Sequence, residues 1–320
     1  MFFFVGVRIM KKPYIAVAGG VNVDIGGRSF APLRSRDSNP GQVRVSLGGV
    51  GRNIAHNLRL LGAEVTLLTA LGDDANGRRI EASCQKLGID LTHALRLPDA
   101  ATSTYLYLND HNGDMALALS DMEIVDKLTP DYFAGKLDVL SGAELVVIDA
   151  NLSAESLAFL AEHCTAPLFA DPVSAVKGEK LKPILGKLHT LKPNRLEAEA
   201  LSGVKITNWK SLDKAAETLL ETGLKRVFIT LGDKGCLAAE PGVSIARLSR
   251  VTGVKNATGG GDAFTAALAW AWLEGKDDLE ESMRLAQAAA AIAVEGGETI
   301  NPALSARTVL ERMKSEEDNL

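Results

Sequence analysis

The segment TLKPNRLEAEAL (residues 190–201) decides the fold class, because a short apolar strand runs directly into a helix. Asn194 and Glu197 form a capping-box pattern where this helix begins. The same change from strand to helix recurs along the chain. Short apolar runs rich in β-branched residues are typical of buried parallel strands. Such runs predict strands at 14–19, 65–71, 145–150, 167–173, 190–193 and 227–231.

Amphipathic segments separate these runs and predict helices on both faces of the sheet. They lie at 52–61, 77–87, 154–163, 195–201 and 210–221, and Ala-rich helices follow at 262–273, 279–294 and 305–314. Regular alternation of strand and helix is typical of an open, doubly wound sheet. The sequence therefore predicts an α/β fold: a three-layer α/β/α core around a mostly parallel sheet.

Two regions interrupt this alternation with a pattern of period two. Residues 102–109 and 115–120 flank the turn sequence DHNGD, which is typical of a β-hairpin, and residues 42–47 also alternate. We expect a single domain over residues 1–320, with a small β-sheet lid formed by insertions at about 20–47 and 100–121. A surface flap without a closing function fits the same pattern.

Composition and charge exclude several classes of protein. With 320 residues, 46% of them hydrophobic, the chain can bury a large core. A net charge of −5 argues against binding a nucleic-acid polymer or an anionic membrane. The apolar run at residues 1–7 is shorter than the roughly 20 residues that span a bilayer, and residues 1–9 are interpreted as an extension. Three widely spaced cysteines indicate reduced thiols, so a soluble cytoplasmic protein is expected.

The sequence TGGGDAF (residues 258–264) is the strongest local indication of function. Gly259, Gly260 and Gly261 would let backbone N–H groups approach an anion at the positive end of a helix. Asp262 would then act as a base beside a bound phosphate, or it would only cap the helix. The chain lacks Walker-type, dinucleotide-binding, zinc-protease and hydrolase signatures.

Three further clusters carry groups that suit a polar ligand. GGVGRN (residues 48–53) allows close backbone approach, and Asn22 and Asp24 follow the first strand, where Asp24 could accept bonds from a vicinal diol. Asn194 and Glu197 could face a hydrated Mg²⁺ or serve only as a capping box. TLGDKG (residues 230–235) could lie under a nucleotide or be a simple turn.

In this order, the motifs resemble those of the PfkB, or ribokinase-like, carbohydrate kinase family. The family patterns GGxxxN, NxxE, TLGxxG and GAGD match residues 48–53, 194–197, 230–235 and 259–262, with Gly260 in place of alanine. The resemblance covers residues 14–301 and implies a ribokinase-like fold that uses ATP and Mg²⁺. Residues 37–41, 48–55, 171–175 and 189–199 are most similar to kinases that act on pseudouridine, which implies transfer of a phosphoryl group to its 5′-hydroxyl.

The resemblance also implies a role for individual residues. Asp262 would be the general base, with Gly259, Gly260 and Gly261 holding the transferred group. The substrate would contact Asn22, Asp24, Gly48, Gly49 and Asn53 through its ribose, and Asp37, Ser38, Asn39, Ser103, Tyr105, Asn151 and Lys177 through its base. The nucleotide would contact Asn194, Thr230, Gly232, Gly235 and Gln287, and Asn194 and Glu197 would hold Mg²⁺ through water.

Two departures and several alternatives stay open at this stage. Asn256 stands where ribokinases usually carry an aspartate that helps hold a monovalent cation, so the K⁺ requirement is open, and Gln287 replaces an asparagine near the adenine. Lid strands could pair with a second subunit in a homodimer. Three alternatives also remain. The chain could be another kinase of the family, acting on ribose, adenosine or a ketohexose. It could also be a catalytically silent ligand-binding regulator, or an α/β protein that binds no nucleotide.

Overall fold

The computed structural model describes residues 12–249, 251 and 253–317, and the predicted extension at 1–9 lies outside these residues. The strands are β1 (Tyr14–Ala18), β2 (Asn22–Ser29), β3 (Gly41–Gly48), β4 (Glu64–Leu68), β5 (Ala70–Gly72), β6 (Leu95–Leu97), β7 (Thr104–Asn109), β8 (Met115–Asp121), β9 (Leu145–Asp149), β10 (Leu168–Asp171), β11 (Thr190–Leu191), β12 (Arg226–Thr230), β13 (Cys236–Glu240) and β14 (Val243–Arg247).

The helices lie where amphipathic or Ala-rich segments predict them, together with three short ones that the sequence analysis does not predict (α3, α4 and α6). They are α1 (Val50–Leu60), α2 (Ala75–Leu87), α3 (Pro130–Ala134), α4 (Leu137–Ser141), α5 (Ala154–His163), α6 (Ala175–Gly178), α7 (Arg195–Ser202), α8 (Trp209–Leu220), α9 (Gly260–Leu273), α10 (Leu279–Glu295) and α11 (Ala306–Glu317). Short 3₁₀ turns cover Glu123–Lys127, Glu179–Lys187 and Gly232–Lys234.

An eight-stranded sheet forms the centre of the molecule, in the order β14-β13-β12-β11-β10-β9-β1-β4. The six strands from β12 to β4 run parallel, and β13 and β14 are antiparallel. Two buried clusters cover its faces: alternate residues such as Val17 and Val147 pack with α1, α9 and α10, whereas Ala16 and Val146 pack with α5 and α8. The predicted three-layer α/β/α architecture is confirmed.

The structure corrects the predicted strands in two places. The strand predicted at 65–71 is divided, because β4 ends at Leu68 and β5 pairs with β6 in a separate two-stranded sheet. The switch occurs at Thr69, whose carbonyl accepts a hydrogen bond of 2.8 Å from the backbone N–H of Leu95. The sequence analysis does not predict β13 or β14, because the two alanines of β13 weaken its strand pattern.

The predicted small sheet is present as a separate four-stranded sheet in the order β3-β2-β7-β8. Its strands come from two segments of the chain, 22–48 and 104–121. Opposite residues in neighbouring strands share a face, so the register gives the sheet one face that carries Asp24 and Tyr105. The other is an apolar face, formed by Ile25, Val43, Val45, Leu106, Leu108, Leu117 and Leu119.

Within the described parts of the chain, no helix combines the length and the apolar character needed to cross a membrane.

Candidate active site

Polar groups collect at the carboxyl ends of the parallel strands, the edge at which open α/β sheets bind ligands. Asp149 ends β9, and its Oδ2 accepts hydrogen bonds from the backbone N–H groups of Gly20 (2.9 Å) and Gly51 (2.8 Å). Its Oδ1 accepts from the N–H of Asn151 at 2.9 Å. Burial raises the pKa of Asp149. The sequence analysis missed this residue, which fixes the loop after β1 against the start of α1.

The GGVGRN segment brings the backbone close to Asp24. A Cβ on Gly48 would lie 2.2 Å from Oδ2 of Asp24, so a side chain there would displace the carboxylate. Gly49 has φ +94°, which favours glycine, and a Cβ there would lie 2.5 Å from the carbonyl oxygen of Gly20. Asn22 orients Asp24 by donating from Nδ2 to Oδ1 at 2.5 Å. Burial raises the pKa of Asp24, although Asn22 opposes this shift.

Arg52 ties this segment to its surroundings from inside the protein. The guanidinium group donates to the carbonyl oxygen of Leu47 at the end of β3 and to Oγ of Ser83 in α2, both at 3.0 Å. The residue is 4% exposed. Arg52 therefore links the small sheet, α1 and α2 immediately behind the predicted ribose contacts.

Asp262 lies in the first turn of α9, but it does not cap the helix. Gly259 is the N-cap residue, with φ +90° and no side-chain capping bond. The carboxylate of Asp262 instead accepts a hydrogen bond from Nδ2 of Asn53 at 2.8 Å, which joins two motifs 209 residues apart. Burial, followed by the nearby negative charge of Asp171, raises the pKa of Asp262 to about 7. A carboxyl with this pKa suits proton transfer near neutral pH.

A buried ion pair that the sequence analysis missed lies beside Asp262. Nζ of Lys192 is 3.0 Å from Oδ2 of Asp171, and both side chains are less than a tenth exposed. Asp171 also accepts hydrogen bonds from Oγ1 of Thr265 at 3.0 Å and from the backbone N–H of Val173 at 2.9 Å. Val173 adopts φ +65°, a strained value for a β-branched residue. The chain holds Asp171 firmly between β10 and α9.

Asn194 and Glu197 form the predicted capping box at the start of α7. Oδ1 of Asn194 accepts from the N–H of Glu197 at 3.0 Å, and Oε2 of Glu197 accepts from the N–H of Asn194 at 2.8 Å. Glu197 is buried, and burial raises its pKa. In the described residues, no group of three or more His, Cys, Asp or Glu side chains could hold a metal directly. Carboxylate and amide oxygens do suit Mg²⁺ through its water shell.

A pocket next to the glycine turn gathers most of the predicted nucleotide contacts. Thr230, Gly232, Gly235 and Gln287 line it with Gly260 and Gly261, and apolar side chains such as Phe264 and Val254 complete the walls. Asn194 adjoins the pocket through a backbone bridge to Thr230. Nε2 of Gln287 donates to the carbonyl oxygen of Arg247 at 3.3 Å, while its buried Oε1 has no partner among the described residues. An acceptor is therefore free at the wall of this pocket.

The predicted base contacts fall into three groups, two of which lie near Asp149 or Asp24. Nζ of Lys177 donates to Oδ1 of Asn151 at 2.7 Å, beside Asp149. Tyr105 stands opposite Asp24 in the small sheet. Ser103, two residues earlier in the chain, is buried, and its Oγ has no hydrogen-bond partner among the described residues.

Asp37, Ser38 and Asn39 form the third group, and the hydrogen bonds described for them stay within their own loop. They lie in an exposed loop, and Oδ1 of Asn39 accepts from the N–H of Arg34 at 2.8 Å within that loop. Asn256 likewise serves a local turn, because its Oδ1 accepts from the N–H of Thr258 at 3.0 Å.

Fold and site together are those of a small-molecule kinase: a glycine turn at the start of α9 and a pocket beside it adjoin the carboxylate of Asp262, which is hydrogen-bonded to Asn53. The pfkB family carbohydrate kinase profile matches residues 12–306. The chain belongs to this family, and it is a phosphotransferase that acts on an alcohol group.

Three relatives illustrate the range of similarity. A pseudouridine kinase of Escherichia coli (strain K12) is 38% identical over 96% of this chain and 98% of its own length. A guanosine-inosine kinase of Exiguobacterium acetylicum is 29% identical over 87% of this chain and 93% of its own length. The crystal structure of a ribokinase from Thermotoga maritima superposes with a TM-score of 0.84 at 26% identity, covering 94% of this chain and 99% of that chain. The ribokinase-like fold is thereby confirmed.

Proposed function

We propose that the protein uses ATP to phosphorylate the 5′-hydroxyl of pseudouridine. The observation that carries the proposal is the hydrogen bond of Asn53 to Asp262, since it joins the candidate ribose site to the anion-binding turn. The substrate is supported by the 38% identity, over nearly the full length of both chains, to a pseudouridine kinase. The relative named for guanosine and inosine favours a second candidate, phosphorylation of a purine nucleoside.

Asp262 supplies the base in this mechanism. Its carboxylate accepts the proton of the 5′-hydroxyl while that oxygen forms a bond to the γ-phosphorus of ATP. The bond from the γ-phosphorus to the β–γ bridging oxygen breaks, and ADP leaves with the electron pair. Backbone N–H groups at Gly260 and Gly261, at the positive end of α9, stabilise charge on the transferred group. Asn53 keeps the carboxylate aimed at the ribose site.

Asn194 and Glu197 would hold Mg²⁺ through water molecules at the neighbouring strand end. When bound with ATP, the ion neutralises phosphate charge. The capping box fixes both side chains before any ligand arrives, because each already bonds to the backbone of the other. This rigidity suits residues that orient a water shell.

The ribose would lie between the small sheet and α1. Asp24, oriented by Asn22, accepts hydrogen bonds from the vicinal 2′- and 3′-hydroxyls, and the free Oδ1 of Asn53 accepts another. Lys177 and Asn151 supply a donor and an acceptor for carbonyl and N–H groups of the base, while Tyr105 offers an aromatic face. The small sheet would act as the lid of a single kinase domain over residues 1–320 and exclude water, which competes with the 5′-hydroxyl.

A substrate panel tests this function directly. ADP release is measured with pseudouridine, uridine, guanosine, adenosine, ribose and fructose, and we expect the highest kcat/KM for pseudouridine. A preference for another substrate would overturn the pseudouridine assignment within the same family. Release with none of them, together with thermal stabilisation by ATP, would instead indicate a silent binding protein.

The Asp24→Ala variant should bind the nucleoside about 10- to 100-fold more weakly, because hydrogen bonds to a charged group are lost. The affinity for ATP should stay unchanged. Calorimetric titration with each ligand provides the measurement. Asp121→Ala is the matched control, since Asp121 lies in the same sheet on the opposite face. An unchanged nucleoside Kd in Asp24→Ala would remove this residue from the site.

The kinase should lose activity in acid because Asp262 must be ionised to accept a proton. Its pKa is raised to about 7, so the fraction ionised falls as the pH drops below this value. We expect kcat/KM for the nucleoside to fall about tenfold per pH unit below pH 7 and to level off above it. Nucleotide binding, measured over the same range, separates this effect from loss of the ATP site. A flat profile between about pH 5.5 and 8 would contradict the role of Asp262.

A homodimer through the apolar face of the small sheet is also part of the proposal. Val43, Val45, Leu117 and Leu119 are each at least half exposed on this face. Soluble monomers rarely leave so contiguous an apolar patch in water, and a two-fold axis would cover it with its own copy.

Light scattering after gel filtration should give a dimer for the native chain and a monomer after the double change Leu117→Glu and Leu119→Glu. Two charges on each protomer would then face each other in an apolar interface. Trp209→Gln, a change of an exposed apolar residue in α8, should stay dimeric. A monomeric native chain would refute the interface.

We place the reaction in the cytoplasm. Cys84, Cys164 and Cys236 are all unpaired, which is typical of a reducing compartment.

A further inference from the structure

The buried ion pair of Lys192 and Asp171 lies at the meeting point of β10, β11 and α9. Nζ of Lys192 is 3.0 Å from Oδ2 of Asp171, with side-chain exposures of 7% and 5%. Such a pair is weak evidence for a role in stability, because burying two charges costs about as much as their attraction returns. Its place in the fold therefore needs another explanation.

Lys192 also approaches the anion-binding turn. A Cβ on Gly261 would lie 3.0 Å from Nζ, so the ammonium group is within contact distance of the third glycine. Gly261 in turn lines the candidate nucleotide pocket. Glycine at this position leaves room for the lysine to reach the turn from the sheet side.

The ammonium group has hydrogen-bonding capacity to spare. Of its three N–H groups, the ion pair occupies one, and the described residues provide Nζ with no second hydrogen-bond partner. Its neighbours carry negative charge: Asp171 forms the ion pair, and Glu197 and Asp262 interact with it electrostatically. A positive charge with free donors thus lies next to Gly261, in the turn to which the proposed function assigns the phosphate oxygens.

The geometry points to Lys192 as a catalytic residue that binds an oxygen of the transferred phosphoryl group, with Asp171 as the residue that positions it. The 5′-oxygen gains the bond to phosphorus, the bridging oxygen of ADP loses it, and the proton goes to Asp262. Lys192 neither gives nor takes a proton, and it neutralises charge on the phosphoryl oxygens throughout the transfer. This inference rests on the kinase activity, and it is independent of which alcohol is the acceptor.

Binding of two nucleotides distinguishes this role from a structural one. Lys192→Met should weaken binding of a non-hydrolysable ATP analogue with an intact γ-phosphoryl group by about tenfold or more. ADP, which lacks that group, should bind within about twofold of its native affinity. Calorimetric titration in the presence of Mg²⁺ measures both without any nucleoside. With the best acceptor of the panel, kcat should fall about 10²- to 10³-fold.

Two further variants keep the test decisive if the single change harms folding. The double variant Asp171→Asn with Lys192→Met removes both charges of the ion pair, so the carboxylate of Asp171 is not left buried without its partner. It should fold, and it should show the same selective loss of analogue binding. Asp171→Asn alone keeps the ammonium group but loosens it, so it should weaken analogue binding less than Lys192→Met and leave the nucleoside KM unchanged.

Equal losses for the analogue and ADP would overturn the proposal and assign the pair to the architecture of the pocket. Unchanged binding of both nucleotides would equally overturn it. Because acceptors are absent from the titrations, an incorrect assignment of pseudouridine would not affect either outcome.

Discussion

Asp262→Asn should lower kcat about 10²- to 10⁴-fold, the range for a lost general base. The amide keeps the size of the carboxyl group, and its Oδ1 can still accept the hydrogen bond from Asn53. What it loses is the capacity to take the proton of the attacking hydroxyl. The affinities for ATP and for the nucleoside should each stay within a fewfold of the native values, so ADP release is measured at saturating concentrations of both.

The thermal stability of the Asp262→Asn variant shows whether a lower kcat results from the lost base or from a damaged fold. The pKa of Asp262 is raised from 3.8 to about 7, so the folded protein binds this proton more tightly than the unfolded chain does. Stability contributed by the protonated carboxyl is therefore lost as the pH rises between these two values. The amide of the Asp262→Asn variant cannot ionise, and at a pH about one unit above the raised pKa we expect the variant's Tm to be no lower than that of the native protein.

Asp138→Asn is the matched control, since Asp138 is an exposed aspartate at the start of α4. It should leave both kcat and Tm unchanged. If Asp262→Asn kept the native kcat, this carboxylate could not be the base. Its burial at the start of α9 would then have only a structural role.

Local patterns predicted those parts of the fold and site that depend on neighbouring residues. The parallel strands are short apolar runs, and the capping box of Asn194 and Glu197 is complete within four residues. The glycines that the sequence singled out at 49 and 259 have positive φ, because each turn leads from a strand or loop into a helix. The structure of such motifs can be predicted from the sequence, because all the contacts that define them are between neighbouring residues.

Residues whose role depends on distant contacts could not be found in this way. Asp149 holds N–H groups 129 and 98 residues away, and Asp171 meets Thr265 from 94 residues away. Lys192 follows an apolar strand, and a single lysine in that position is typical of a strand end that is exposed to solvent. An aspartate that ends a buried parallel strand is the one signal that could have identified Asp149 and Asp171 in advance. In contrast, Asp37 and Asn39 stood out as polar residues in a loop. Their side-chain oxygens accept hydrogen bonds from backbone N–H groups of the same loop.

The other large effect is expected at Gly259, in the turn that we propose binds an anion through its backbone. Gly259 has φ +90°, and a Cβ would lie 2.0 Å from the carbonyl oxygen of Thr299, so alanine would combine a strained backbone with a direct collision. Relief requires the turn to move away from residue 299, which displaces the N–H groups of Gly260 and Gly261 together with Asp262.

Gly259→Ala should therefore reduce kcat at least about 10²-fold, the cost of one misplaced donor at a developing charge, and should also weaken ATP binding. This combined loss distinguishes it from Asp262→Asn, in which nucleotide binding is retained. Gly297→Ala is the matched control in the adjacent segment, because a Cβ there would meet nothing within 4 Å. Steady-state kinetics, calorimetric titration with ATP and circular dichroism provide the comparison. Native kinetics and native ATP binding in Gly259→Ala would contradict the placement of the anion site at this turn, because a turn displaced by a collision of this size could not hold a phosphate unchanged.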